Sequence, residues 1–125
     1  MAVKTLPYDA STIAGKATVR FANVSARKAR LVIDLIRHKS VGEANSILKF
    51  TVKPSAAPIV QKLLDAAKAS VNHREYSNVD DLIIGEVYAD VGPSSKRVRP
   101  QSRGRANYYR RRLCHITLRL MPPIS

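Results

Sequence analysis

The sequence lacks most of the features that announce a functional class. A single cysteine, Cys114, leaves no disulfide framework to build. No apolar run approaches the roughly 18 residues of a membrane-crossing helix, so no membrane partner is expected. The opening Met1-Ala-Val-Lys-Thr-Leu-Pro has no apolar stretch followed by a small-residue cleavage site, and Asp9 breaks the acid-free pattern of an organelle transit peptide. His38, His73 and His115 are far apart, and none has a ligand partner three or four residues away, so no metal site is expected. There is no glycine-rich phosphate loop and no nucleophile elbow. Cys114 falls on the apolar side of a strand pattern, where a thiol is a small buried hydrophobe rather than a nucleophile. Asp80, Asp81 and Glu86 are the acids best grouped to hold Mg²⁺ for phosphodiester cleavage, but they sit at the start of a strand and along it, where acids are ordinarily solvated. Neither a catalytic constellation nor a cofactor is expected.

The most informative scarcity is of acid. Lys and Arg number 22 against 9 Asp and Glu, a net charge of +13. All nine acids lie at or before Asp90, and from Val91 onward there are nine Lys or Arg and none of the opposite sign. Pro93 to Arg112 concentrates eight of them: Lys96, Arg97, Arg99, Arg103, Arg105, Arg110, Arg111 and Arg112. That segment has too few large aliphatic residues for a core of its own. Arginine predominates, and its planar fork suits phosphate, whereas a merely solubilising run mixes signs and uses more lysine. Such charge repels itself unless a polyanion neutralises it. With 125 residues and 45% apolar composition, the chain otherwise has the size and substance of one folded domain.

Hydrophobic periodicity outlines that domain. Residues 1–16 read as an extended or loose arm. Ala17 to Val24 alternates as a short strand. Ser25 is positioned as an N-cap, with Ala29, Val32, Ile33 and Ile36 on one helical face, Leu31 and Leu35 widening the stripe, and Asp34 spaced to pair with Arg30. Ser40 and Glu43 form a capping-box pattern ahead of Val41, Ala44, Ile47 and Leu48. Pro54 to His73 is the longest helical stretch, its stripe made by Ile59, Leu63, Ala67 and Ser70 with Val60, Leu64 and Val71 beside it. The period then becomes two: Ile83, Val87, Ala89 and Val91 share one side, and Leu82, Ile84, Glu86, Tyr88 and Asp90 the other. Cys114, Ile116, Leu118 and Leu120 alternate in a second long strand. Two apolar strands separated by about twenty basic residues predict an antiparallel hairpin turning near Ser102 to Gly104 and reaching about 30 Å beyond the body. A two-stranded ribbon of that length is not stable alone in water. Its charge points to nucleic acid as the support. The fold class is α+β, with helices on one face of a small antiparallel sheet and a protruding basic β-hairpin at about 92–112; residues 17–125 are expected to form a single nucleic-acid-binding domain.

Two further features carry chemistry. Arg27, Lys28 and Arg30 occupy the first turns of a helix, where the macrodipole is already positive and each cation costs a few tenths of a kcal/mol, up to about 1. An external phosphate would turn that cost into a gain, with the cations and backbone N–H groups converging on it; a tolerated surface cluster is the alternative. Tyr108 and Tyr109 precede Arg110 to Arg112 and face opposite sides of an extended chain, free to stack on a base or to brace the ribbon across its strands.

Ser25-Ala-Arg-Lys-Ala-Arg-Leu-Val with Asp34-Leu-Ile-Arg-His-Lys-Ser-Val-Gly-Glu-Ala resembles the first helix and turn of the large-subunit ribosomal protein twenty-two family. Gly92-Pro-Ser-Ser-Lys-Arg-Val-Arg-Pro, Arg103-Gly-Arg-Ala and Cys114-His-Ile-Thr-Leu resemble its hairpin and last strand. The resemblance runs from about Ala17 to Leu120. It implies three helices on a three-stranded antiparallel sheet, with a body seated on large-subunit rRNA and a hairpin that helps line the nascent-peptide exit tunnel. RNA contacts are then expected from Arg20, Arg27, Lys28, Arg30, Arg37, Lys39, Lys96, Arg97, Arg99, Arg103, Arg105, Tyr108, Tyr109 and Arg110 to Arg112. Arg97, Val98, Arg99, Pro100, Arg103, Gly104 and Arg105 are expected along the tunnel. The implied partners are large-subunit rRNA, neighbouring ribosomal proteins and the nascent polypeptide, with no homo-oligomer, on a cytoplasmic or organellar ribosome. His38 departs from the family, standing where Gly is common; Gln101-Ser102 stand where Arg-Ala is usual, and Cys114 where Ser is frequent. The alternatives are a free basic nucleic-acid-binding accessory protein and a small Mg²⁺-dependent RNA-processing enzyme.

Overall fold

In the computed structural model, residues 8–123 are described, apart from Ala10 and His73. Strand β1 (Gly15–Ala22) leads into helices α1 (Ala26–Ile36), α2 (Val41–Phe50) and α3 (Ala57–Ala69), then strands β2 (Ile83–Pro100) and β3 (Ala106–Met121). The strands form one antiparallel sheet in the order β1-β3-β2, placing the last strand at the centre. Cys114, Ile116, Leu118 and Leu120 of β3 meet Val32, Ile33 and Ile36 of α1, Val41 of α2, and Val60 and Leu64 of α3 in one core.

Local chemistry sets the helix ends. The Ser25 side chain accepts the Lys28 N–H at 3.4 Å, and Ser40 accepts the Glu43 N–H at 3.3 Å, the two caps the sequence predicts. Pro58 lies in the first turn of α3, where its missing N–H costs nothing, and Pro54 falls in the turn before it. After α1 the chain reverses through Arg37 (φ −63°, ψ 131°) and His38 (φ 62°), closed by the Lys39 N–H donating to Ile36 O at 3.2 Å. That positive φ suits glycine, and a side chain there costs about 1–2 kcal/mol. His38 is held there by stacking on Tyr8, with centroids 5.5 Å apart, and by its N–H donating to Ile84 O at 3.0 Å.

Several expectations are corrected. From Tyr8 onward the N-terminal arm is not loose: the Tyr8 hydroxyl donates to Gly85 O at 3.2 Å, Asp9 N–H to Pro122 O at 2.9 Å, and Ala14 N–H to Leu120 O at 2.8 Å. Met1 to Pro7 lie outside the described residues, as does His73 at the end of the predicted third helix. Leu31 and Leu35 do not widen the buried stripe; both are exposed, because the sheet and neighbouring helices cover only one side of α1. Asp34 pairs with Arg37 at 3.2 Å, not with Arg30, whose guanidinium is engaged by the sheet. Ser70 is exposed past the end of α3, donating to Ala67 O and accepting the Lys16 N–H. Val91 is exposed too, at the end of the sheet where the ribbon begins.

The strict alternation predicted for β2 also fails, at Gly85. Ile84 faces Leu120 and Glu86 faces Arg119, so Gly85 is the extra residue of a bulge and the side-chain parity flips across it. Ile84, Val87 and Ala89 are therefore all buried. A Cβ at Gly85 would collide with Met121 Sδ and lie 3.0 Å from Tyr8 Cε2.

Gly85→Val is expected to destabilise the protein by about 1–3 kcal/mol through this overpacking; an unshifted urea midpoint would refute the close approach. Burial pushes the Cys114 thiol above its ordinary value, with Arg30 opposing weakly. The thiolate is thus suppressed in the folded chain, and iodoacetamide at pH 8 is expected to label Cys114 only after unfolding. Rapid labelling of the native protein would contradict its placement.

Candidate nucleic-acid interface

Beyond the body, β2 and β3 continue as a ribbon of seven opposed pairs, from Ser94 with Arg112 to Pro100 with Ala106. At about 3.3 Å per residue the paired part extends about 23 Å. Every residue from Pro93 to Arg112 is exposed, so hydrogen bonds and cross-strand contacts hold the ribbon without a core. Opposed residues share a face. One face carries Lys96, Val98, Pro100, Ala106, Tyr108, Arg110 and Arg112; the other carries Arg97, Arg99, Asn107, Tyr109 and Arg111. Each face thus holds three cations and one tyrosine. Lys96 Nζ sits 4.4 Å from the Tyr108 ring centroid, and the Arg99 guanidinium 5.2 Å from that of Tyr109. These contacts hold both rings against cations on the partner strand while leaving Tyr108 64% and Tyr109 41% exposed. The tyrosines therefore brace the ribbon and still offer a ring surface for stacking.

The tip is a tight turn. Gln101 N–H donates to Arg105 O at 2.7 Å, and the reversal places Arg103 (φ 61°) and Gly104 (φ 71°) in the left-handed region. The residues expected along a tunnel do not form one surface. Val98 and Pro100 lie on the face opposite Arg97 and Arg99, so a wall that presents one pair turns the other away.

Where the ribbon leaves the body, it overhangs the start of α1. An open groove of about 770 Å³ is lined by Asn23, Val24, Ser25, Lys28, Ser55, Lys96 and Tyr108 to Arg112. Asn23 Oδ1 accepts the Arg111 Nε–H at 3.1 Å and ties the ribbon base to the body. The groove has basic walls, and the first turn of α1 at its edge contains no acid. Phosphate fits this chemistry: partial positive charge from the helix start, an ammonium from Lys28 and guanidinium groups from β3.

The three cations of α1 do not converge on one point. Lys28 lines the groove and Arg27 is exposed outside it. Arg30 turns the other way, donating from Nε and Nη2 to Ala89 O at 3.2 and 2.9 Å. Arg37 donates to Val87 O at 2.8 Å while pairing with Asp34. Both arginines satisfy carbonyls on β2, an edge strand, and so position α1 against the sheet. Arg20 is exposed in a β1 bulge opposite His115, and Lys39 is exposed while its carbonyl accepts the Ile84 N–H at 2.9 Å; neither joins the groove. The acids considered for Mg²⁺ have separate partners: Asp80 with Lys68 at 3.6 Å, Asp81 with Asn78 at 2.8 Å and Glu86 with Arg119 at 2.6 Å.

Asn23 and Ser55 are groove residues that sequence reasoning missed. Asn23 carried a faint signal as a polar residue just ahead of the cap Ser25, whereas Ser55 is brought in from the turn before α3 by packing alone.

Residues 17–121 match the family model described as Ribosomal protein L22p/L17e. Large ribosomal subunit protein uL22 of Caldicellulosiruptor saccharolyticus is 51% identical over 102 residues, spanning 82% of this chain and 83% of that protein. Its counterpart in Macrococcus caseolyticus is 48% identical over 103 residues, 82% of each chain. In Staphylococcus haemolyticus the identity is 46% over 103 residues, 82% of this chain and 87% of the relative. Match and fold agree along the body, the ribbon and the return strand, and the chain belongs to the L22p/L17e family of ribosomal proteins.

Proposed function

We propose that this chain is a structural, non-catalytic constituent of the large ribosomal subunit whose ribbon is enclosed by rRNA on both faces and whose far end helps line the nascent-peptide exit tunnel. The observation that carries the reading is the symmetry of the ribbon: three cations and a tyrosine on each side, with no acid on either. A basic strip lying on the surface of one RNA helix needs charge on one face only. Two equally cationic faces suit a ribbon that passes between RNA elements, releasing counterions on both sides. Recognition of this kind follows phosphate spacing and shape more than base sequence, with Tyr108 and Tyr109 adding stacking on unpaired bases. The free accessory protein draws no support from the relatives, which are large-subunit proteins. Neighbouring ribosomal proteins are partners that follow from membership of the family. Contact with the nascent polypeptide belongs to the proposal and falls to the tip, where Arg103 and Gly104 form the outermost turn.

Arginines with different jobs should separate experimentally. Lys28→Ala and Arg110→Ala are each expected to lower the salt slope of binding to protein-free large-subunit rRNA by about one, with stability changed by less than about 0.5 kcal/mol. Arg30→Ala is expected to do the reverse, costing about 1–3 kcal/mol of stability by leaving an edge carbonyl without its charged donor. Equal salt effects from Arg30 and Lys28, with no loss of stability, would overturn this division. For the tip, Arg103→Cys adds a thiol to a chain whose one native cysteine is buried. A stalled nascent chain carrying a thiol-reactive crosslinker is expected to capture that variant and not the parent; capture of neither removes the tip from the tunnel wall.

A further inference from the structure

The turn between α2 and α3 displays the two most exposed large apolar side chains among the described residues, Phe50 at 86% and Val52 at 88%. Their exposure is imposed by the backbone. Thr51 Oγ1 donates to Ile47 O at 2.6 Å, Thr51 N–H to Leu48 O at 3.4 Å, and Ala57 N–H to Lys53 O at 3.0 Å. Across the two helices, Gln61 Nε2 donates to Asn45 Oδ1 at 2.5 Å. Phe50 and Val52 therefore stand outward on a fixed turn. Val52 and Pro54, with Leu48, Ala57 and Pro58, line an open apolar groove of about 600 Å³ rimmed by Lys49 and Lys53.

Two observations identify what this surface takes. From Ala44 to Leu64 the chain carries Lys49, Lys53 and Lys62 and no acid, and the charged residues that line the apolar groove, Lys49 and Lys53, are both basic. It also adjoins the ribbon groove through consecutive residues, Pro54 lining one and Ser55 the other. A polyanion in the ribbon groove thus continues onto the turn without leaving basic surface. An apolar ring flanked by ammonium groups matches an unpaired nucleotide, whose base needs a face to stack on and whose phosphates need cations.

We propose that the α2–α3 turn is a second rRNA-binding site that takes an unpaired base against Phe50 and Val52, with Lys49 and Lys53 on the flanking phosphates. The site rests on the rRNA reading of the ribbon and extends it to the far side of the body groove. Because the side chain is exposed, Phe50→Ala should leave folding intact and weaken binding to protein-free large-subunit rRNA about tenfold; Phe50→Tyr, which keeps the ring, should restore it. Unchanged affinity in Phe50→Ala overturns the site.

A photoreactive phenylalanine analogue, placed at position 50 or at position 108 of the full chain in assembled large subunits, separates this proposal from the reading beneath it. Irradiation is expected to yield rRNA adducts from both positions. An rRNA adduct from 108 with a protein adduct or none from 50 overturns the turn site and leaves the ribbon standing. An adduct from 50 alone supports the turn site and removes the ribbon groove, and rRNA adducts from neither position overturn both.

Discussion

Strand β3 is paired on both edges over its buried half, with β1 on one side and β2 on the other, and it passes from core to ribbon without an extra residue. The three register shifts of the sheet fall on its neighbours: at Arg20 and Phe21 of β1, at Gly85 of β2, and at Gly92 and Pro93 of β2 where the ribbon departs. Uninterrupted alternation along β3 makes Arg112, Arg110 and Tyr108 continue the helix-facing series of Leu120, Leu118, Ile116 and Cys114. The register of β3 in the body therefore fixes which ribbon side chains share a face. The flanking strands absorb the bends that a twisted sheet needs at its rims. Were β3 to bulge at the junction, Arg111 and Tyr109 would exchange faces with Arg110 and Tyr108.

Positive charge does two kinds of work in this chain. Inside the body, Arg30 and Arg37 spend their donors on carbonyls of the β2 edge, and the segment after α1 covers Leu82 and Ile84 in the same way. An open strand edge invites pairing with other chains, and these contacts close it. On the ribbon the same side-chain chemistry has one internal acceptor among the described residues, Asn23 Oδ1 for Arg111. All the ion pairs among the described residues lie in the body, and the ribbon cations meet only tyrosine rings and Asn23. The fold thus concentrates unneutralised charge where no core can form, and an external polyanion completes both the electrostatics and the support of the ribbon.

The caps at Ser25 and Ser40, the inward faces of α1 and β3, and the turn at Ser102 to Gly104 were all legible in the sequence. Each depends on interactions within a few residues or on a period of 2 or 3.6. The faces of β2 were not, because one bulge residue exchanges inside and outside; Gly85 reads in sequence as a weak point in a strand or a place of close approach, and the close approach is present, but neither reading carries the change of parity. Leu31 and Leu35 misled for a related reason: helical spacing says which residues share a stripe but not how wide a stripe the partner elements cover. In the candidate site, the ribbon cations were recoverable from composition alone. The fate of Arg30 was not, since it turns on a carbonyl 59 positions away.

By itself the sequence determined that the protein is one α+β domain with an acid-free basic hairpin, and that its partner is a polyanion. Those properties follow from counts, spacing and local capping, which are additive along the chain. Only the tertiary structure decided which cations face outward and which hold the sheet edge. It also made the ribbon cationic on both faces, and it brought Ser55 and Lys28 to one groove. These outcomes depend on strand register and helix packing, where a shift of one residue reverses every side chain beyond it.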